Sequence, residues 1–348
     1  MRRKNGAFAS AAMLAAVGGT AAGLYLVRRL LGSVSRPSVD LNNKVVLITG
    51  GSRGLGLAMA LEFARAGSRI AICARDADEL RVAEERISAV AREVARFSCD
   101  VTQPKQTASL IEQVIQRFGR LDILINNAGE MKVAPVESLE RADFESAMAT
   151  MFWGPVDLTR GALPHMRRLG KAQIVNITSI GGRISVPRLI PYCCAKSALV
   201  AFSEGLAAEL APAGIRVLTV VPGLMRTGSY LQAQFKGSAE DEFAWFGLAA
   251  NLPGFTVAAD HAARQIRKSL ERGDYVCTIS WPAKCLAAMQ GLMPELTRDL
   301  MAQVNEHILP KPKGTKTFVS GKVLDKSFRG VFRLFTTLGR TAAAELNQ

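Results

Sequence analysis

The sequence predicts an α/β fold, a doubly wound parallel sheet of about seven strands covered by helices on both faces. Three observations predict it. From Lys44 onward, short apolar runs alternate with amphipathic stretches of helical spacing. The runs are apolar at successive positions rather than alternate ones, the pattern of strands buried on both faces. A glycine-rich turn, Thr49-Gly50-Gly51-Ser52-Arg53-Gly54-Leu55-Gly56, joins the first run to the first amphipathic stretch.

The elements follow in order. Strands are predicted over 45–49, 69–74, 94–99, 121–126, 172–177, 216–221 and 275–279. Helical spacing covers 55–66, 77–91, 104–118, 138–168, 191–210 and 260–271. Gly67 and Gly119 close the first and third helices, because glycine tolerates the left-handed backbone of a helix end. Gly154-Pro155 predicts a break in the long fourth helix. Regular strand–helix alternation makes neighbouring strands parallel. Such sheets bind ligands beyond the carboxyl ends of their strands, so functional residues are expected just after strands.

Composition narrows the function classes. With 49% hydrophobic and 21% charged residues, a packed core is expected and disorder is not. The net charge of +14 would fit a nucleic-acid partner. Its distribution does not: residues 1–44 carry +6, residues 284–348 carry +5, and the body between carries only +3. No basic patch is interleaved with aromatic residues, so no nucleic acid is expected, and the basic ends suit an anionic membrane surface. The six cysteines form no CxxC pair and none stands near a histidine at metal-ligand spacing, so no metal is expected. They read as reduced thiols packed as small hydrophobes.

Residues 7–27 are uncharged, with Arg2, Arg3 and Lys4 before them and Arg28 and Arg29 after. A helix of that length spans about 30 Å, the hydrocarbon thickness of a bilayer. A membrane anchor, a cleaved signal peptide and a buried helix compete. The length of the run and the arginines that follow it favour the anchor. The organisation read from the sequence is an anchor over 1–32, a linker over 33–43, the α/β body over 44–281 and a basic helical extension over 282–348.

The glycine turn follows a strand and opens a helix. That context suits the pyrophosphate of a dinucleotide in a Rossmann-type fold: glycines let backbone approach the phosphates, and the helix N-terminus supplies N–H donors. After the second strand stands Arg75, and Arg53 lies within the turn. Two guanidiniums can clamp a 2′-phosphate, which favours NADP(H) over NAD, although both arginines also suit a solvated surface. Asp76 is the counter-signal, since an acid at this point would bind ribose hydroxyls. A domain that uses NADP would face the cytoplasm, where that cofactor is kept.

Tyr192-Cys193-Cys194-Ala195-Lys196 places a phenol and an amine one helical turn apart. A phenol with a pKa of about 10 exchanges its proton poorly at neutral pH, and a neighbouring ammonium would lower that value. Tyr192 then suits a proton donor to a carbonyl, or an acceptor in reverse. Ser179, after the fifth strand, could donate to the same substrate oxygen.

These motifs, with Asp100-Val101, Asn126-Asn127-Ala128-Gly129 and Pro222-Gly223-Leu224-Met225-Arg226-Thr227, occur in one order over roughly residues 44–280. In them the sequence resembles the short-chain dehydrogenase/reductase family. The resemblance implies an NAD(P)-dependent oxidoreductase acting on CH–OH groups and a homo-oligomer. Gly50, Ser52, Arg53, Gly54, Leu55, Gly56 and Arg75 would hold the phosphates, and Asp100 and Val101 the adenine. Asn127, Ala128 and Gly129 would line the cofactor, with Pro222, Gly223 and Thr227 near the nicotinamide carboxamide. Lys196 would hold the nicotinamide ribose, Ser179 would orient the substrate, and Tyr192 would move the proton. One position departs from the family: Met151 stands three residues before Gly154, where an asparagine usually positions a water in a proton relay. The thioether cannot donate a hydrogen bond. Met151 is also the support for a rival reading, a catalytically weak or silent NADP-binding scaffold or sensor.

Residues 228–253 carry Tyr230, Phe235, Phe243, Trp245, Phe246 and Leu248. In the family this region forms a substrate lid, and these side chains would suit a small apolar carbonyl or alcohol; closing the core is the equal alternative. Residues 281–292 and 294–308 look helical, and 311–322 reads as a Pro/Gly/Lys-rich loop. Phe328, Phe332 and Phe335, with Lys326, Arg329 and Arg333 among them, form a basic amphipathic stretch. It suits a bilayer surface slightly better than packing on a second subunit or on the chain's own core.

Overall fold

A computed structural model describes residues 38–311 and 315–348, together with Gly23. The chain divides into two units, Met1–Ser38 and Val39–Gln348, and the second holds everything described below. The anchor expected over 1–32 therefore lies outside the described residues except for Gly23, as do residues 33–37 of the expected linker. Residues 39–43 of that linker belong to the packed body: Leu41 is buried and the Val39 N–H donates to the Glu271 carbonyl. Among the described residues no helix is long and apolar enough to cross a membrane.

The seven expected strands all form. They are β1 (Val45–Thr49), β2 (Arg69–Ala74), β3 (Val94–Ser98), β4 (Ile123–Asn126), β5 (Ala172–Ile177), β6 (Ile215–Pro222) and β7 (Val276–Ile279). Every pairing is parallel, in the order β7-β6-β5-β4-β1-β2-β3. The chain builds outward from β1 to β3, then crosses to β4 on the other side of β1 and builds outward again. That reversal opens a crevice between the carboxyl ends of β1 and β4.

The continuous apolar runs are explained by the two layers. The helices of the first half are α1 (Gly54–Arg65), α2 (Ala77–Ser88), α3 (Pro104–Phe118), α4 (Arg141–Met148) and α5 (Gly154–Leu169). The next are α6 (Ile190–Leu210), α7 (Ala239–Ala249) and α8 (Ala259–Arg272). Val46, Ile48, Ile70 and Ile72 join Leu57 and Phe63 of α1, Leu80 of α2 and Ile266 of α8 in one core. Val45, Leu47, Leu124 and Ile174 join Leu110 and Val114 of α3 and Leu158 and Met166 of α5 in the other. Neighbouring residues on a strand thus serve opposite faces, so each must be apolar.

Three expectations are corrected. The long helix predicted over 138–168 begins only at Arg141 and does not break at Gly154-Pro155. A π-helical turn, Ala149–Trp153, carries the chain from α4 into α5. Pro155 lies in the first turn of α5, where its missing N–H costs little. The loop predicted over 311–322 contains a strand, Thr315–Ser320, paired antiparallel with Gln234–Gly237. Its edge partner lies some eighty residues away and leaves no local sign. Finally, Phe328 and Phe332 do not face outward: both stack on Phe243, with ring centroids 5.2 and 5.5 Å away. Tyr230, Phe235, Phe243 and Phe246 complete this third core, so the region 228–253 closes the fold with most of its aromatic side chains.

The extension continues as α9 (Trp281–Leu292), α10 (Pro294–His307), α11 (Val331–Phe335) and α12 (Thr337–Glu345).

Candidate active site

The carboxyl ends of β1, β4, β5 and β6 supply the expected residues. After β1, Gly50 adopts φ +61°, and a Cβ there would lie 3.1 Å from the Ala128 Cα. Glycine is required on both counts. The loop after β4 is tied to this turn. The Asn127 Nδ2 donates to the Thr49 and Gly50 carbonyls at 2.9 and 3.2 Å, and the Asn127 and Ala128 N–H groups donate to the Thr49 Oγ1 at 2.9 and 3.0 Å. Asn126 points elsewhere, donating to Asn176 Oδ1 across the sheet at 2.8 Å. Among the described residues no side chain caps the N-terminus of α1. Leu55 and Gly56 are buried in its first turn.

The two arginines are placed differently. Arg53 donates to Glu79 Oε1 at 2.7 Å, and Ser52 Oγ donates to Glu79 Oε2 at 3.1 Å. Arg75 is exposed. Glu79 was missed in the sequence because it lies in α2, one element beyond the turn it contacts. Asp76 has a structural role: it caps α2, accepting from the Asp78 and Glu79 N–H groups at 2.9 Å each. Asp100 forms a local turn, accepting from the Thr102 N–H and hydroxyl at 3.0 and 2.8 Å, and Val101 is buried beside Gly154. Pro222 ends β6, the Gly223 N–H donates to the Ile279 carbonyl at 3.1 Å, and Thr227 is buried.

Ser179, Tyr192 and Lys196 converge. Ser179 lies just beyond β5 and accepts from the Gly181 N–H at 3.0 Å. α6 begins with Pro191 in its first turn and brings Tyr192 back over this loop, where a Cβ placed on Gly181 would lie 3.1 Å from the Tyr192 Cε1 and 3.4 Å from the Ser179 Oγ. Lys196, one turn on, has its Nζ 5.8 Å from the Tyr192 ring centroid and donates to the Ile177 carbonyl at 2.7 Å. Met151 packs on the other side of Tyr192 with Ala147 and Ala195, and Gly129 faces its thioether.

The electrostatics correct one expectation. The sequence suggested that Lys196 lowers the phenol's pKa. Instead, burial pushes Tyr192 up to about 12, against a lowering contribution from the Ser179 hydrogen bond. Burial also lowers Lys196 to about 8. Desolvation penalises whichever form is charged, so an acid and a base shift in opposite directions. At 5.8 Å from the ring, with its amine turned to Ile177, Lys196 does not offset that cost.

Comparisons with known proteins agree with this geometry. The model of the family described as short chain dehydrogenase matches residues 44–235. An Arabidopsis thaliana protein, 11-beta-hydroxysteroid dehydrogenase-like 4A, is 38% identical over 196 residues, 56% of this chain. The chain spans 65% of that relative's length. The structure of L-sorbose reductase from Gluconobacter frateurii, complexed with NADPH and L-sorbose, is 25% identical, with a TM-score of 0.63 over 70% of this chain and 97% of its own. A short-chain dehydrogenase/reductase from Burkholderia phymatum, in complex with NAD, shares the fold at 21% identity, with a TM-score of 0.69 over 80% of this chain and all of its own.

The Lys196 shift has a signed consequence. Its folded pKa of about 8 lies below the usual 10.5, so above pH 8 the unfolded chain holds a proton that the folded chain has lost. Stability therefore rises from pH 8 toward pH 10, by at most about 3 kcal/mol. Above pH 10 the raised Tyr192 acts in the opposite sense. Denaturant unfolding of the native chain and of Lys196→Met between pH 8 and pH 10 should show the rise only in the former. A native profile without that excess would contradict a burial-shifted amine.

Proposed function

The chain belongs to the short-chain dehydrogenase/reductase family, and on that premise we propose that it is an NADP(H)-dependent enzyme interconverting a carbonyl and a secondary alcohol on an apolar substrate. As a member of the family it is an NAD(P)-dependent oxidoreductase acting on CH–OH groups. One observation carries the finer reading: Tyr192 and the Ser179 hydroxyl both pack against Gly181, with the Lys196 amine one turn behind.

The residues fit a dinucleotide. Backbone crowding at Gly56, where a Cβ would lie 2.0 Å from the Gly50 carbonyl oxygen, leaves no room for a side chain, and α1 begins without a side-chain cap, so its N–H groups suit phosphate oxygens. Asp100 and Val101 would flank the adenine, Asn127 to Gly129 the centre, Lys196 the nicotinamide ribose, and Pro222, Gly223 and Thr227 the carboxamide. When bound, the nicotinamide supplies or accepts the hydride.

The chain's own residues handle the proton. The Ser179 and Tyr192 hydroxyls would both donate to the substrate's carbonyl oxygen. With its pKa held near 12, Tyr192 enters neutral at physiological pH and so has a proton to give. As negative charge grows on that oxygen the phenol proton transfers to it. Alcohol oxidation runs the same transfers in reverse.

NADP is favoured by Arg53 and Arg75, and by the engagement of Asp76 in capping α2, which turns the one suitable acid away from ribose. The Glu79 carboxylate on Arg53 weakens this preference, leaving exposed Arg75 the stronger phosphate partner. An apolar substrate is supported by the surroundings of Tyr192, which packs with Val133, Leu189, Phe235 and Phe246 in one cluster. A rival reading, a weakly active cofactor-binding scaffold, draws on Met151: buried against Tyr192, it places no hydrogen-bond donor beside the catalytic groups. We also propose that residues 7–27 anchor the protein in a membrane, with the catalytic unit facing the cytoplasm. Exposed Leu334, Phe335 and Leu338 beside exposed Arg329 and Arg333 suit that setting.

Four outcomes are expected. NADPH should support turnover across a panel of hydrophobic ketones better than NADH does. Tyr192→Phe should lower kcat at least about 100-fold while leaving NADPH affinity intact; a variant that turns over normally would end the catalytic assignment. Met151→Asn should raise kcat and alter its pH profile, and an unchanged rate and profile would remove any role for this position. Deleting residues 1–37 should move the protein from the sedimenting membrane fraction to the supernatant, whereas sedimentation unaffected by the deletion would refute the anchor.

A further inference from the structure

The glycine turn expected to face a cofactor is covered. Ser52 is 2% exposed, and Gly54, Leu55 and Gly56 are buried. What covers it is the segment after α12. The Gly54 N–H, the first amide of α1, donates to the Leu346 carbonyl at 2.8 Å. The Asn347 Nδ2 donates to the Ser52 and Glu79 carbonyls at 3.0 and 3.2 Å. A Cβ placed on Gly54, whose φ is +55°, would lie 2.5 Å from the Gln348 Nε2 and 4.0 Å from the Thr227 Cβ. The Gln348 side chain therefore abuts the glycine turn close to Thr227. Ala343 is pressed against Gly228, the next residue after that motif. The Gln348 Oε1 is buried without a hydrogen-bond partner.

We propose that residues 346–348 are a latch that occupies the dinucleotide's place and must leave before the cofactor binds. The inference rests on the glycine turn being the dinucleotide site. The Leu346 carbonyl presents an acceptor oxygen to a helix-terminal N–H suited to a phosphate oxygen. Gln348 takes up the space beside Gly54 and Thr227 that a bound dinucleotide would need. Neutral hydrogen bonds and the packing of Leu346 on the first core hold the latch, and one of its own polar atoms is left unsatisfied. α12 behind it is anchored separately: Arg340 pairs with both oxygens of Asp325, and Gly339 abuts Asn251. Release of three residues therefore leaves the helix in place.

A latch seated nine-tenths of the time weakens apparent affinity about tenfold, because only the open fraction binds. NADPH titrations of the full chain, of a chain ending at Glu345 and of Asn347→Ala test this, with the unfolding midpoint as a control for folding. Shortening should tighten the apparent Kd for NADPH about tenfold, and Asn347→Ala should move it the same way. A peptide of residues 341–348 added to the shortened chain should restore the weaker value and be competed off by NADPH. An equal or weaker affinity in folded variants would overturn the latch. Failure of both full and shortened chains to bind NADPH would instead overturn the dinucleotide reading, and the latch with it.

Discussion

The side-chain amide of Asn127 holds together the two loops on which the site depends. Its two donors reach the Thr49 and Gly50 carbonyls, while the Thr49 hydroxyl receives the N–H groups of Asn127 and Ala128. The loops leave β1 and β4, neighbours in the sheet on either side of the point where the strand order reverses. The crevice there would otherwise be free to widen. With the loops bonded, the glycine turn has one shape, and the ends of β4 and β5 stand at a set distance from it. Backbone carbonyls in such a crevice have little else to pair with, so the amide also satisfies groups that would be costly to leave bare.

The proton-handling groups are set up by a different force. Tyr192 and Lys196 occupy one helix face, yet their shifts come from loss of water and not from each other. Both become reluctant to charge. For the phenol this preserves a donor at neutral pH; for the amine it brings titration close to the working range. The Ile177 carbonyl holds the lysine at the edge of the sheet rather than over the phenolic oxygen. Met151 completes the same enclosure, carried there by the π-helical turn that joins α4 to α5.

The extension connects regions that lie far apart in the sequence. Phe328 and Phe332 seat it in the aromatic core around Phe243, a core that also contacts Tyr192. The strand Thr315–Ser320 ties it to Gln234–Gly237. From there α12 leads to the glycine turn, where Leu346 and Asn347 bond to Gly54 and Ser52. One segment thus contacts both the aromatic core beside Tyr192 and the glycine turn.

The sequence by itself determined the seven strands, their parallel direction and the ends at which function gathers, because strands buried on both faces must be apolar at every position. It also determined the meeting of Ser179, Tyr192 and Lys196, since a strand end and one helical turn are local facts. Only the tertiary structure decided the partners that distance hides. Glu79 joins Arg53, the strand at 315–320 finds its edge, and the phenylalanines of 328–332 turn inward. Only it decided the sign of the Tyr192 shift, because desolvation depends on how much protein surrounds a group and pattern records only which groups are near. The covering of the glycine turn by Leu346 to Gln348 is of the same kind: nothing in those three residues announces where they bind, and the site is made by packing of chain nearly 300 residues away.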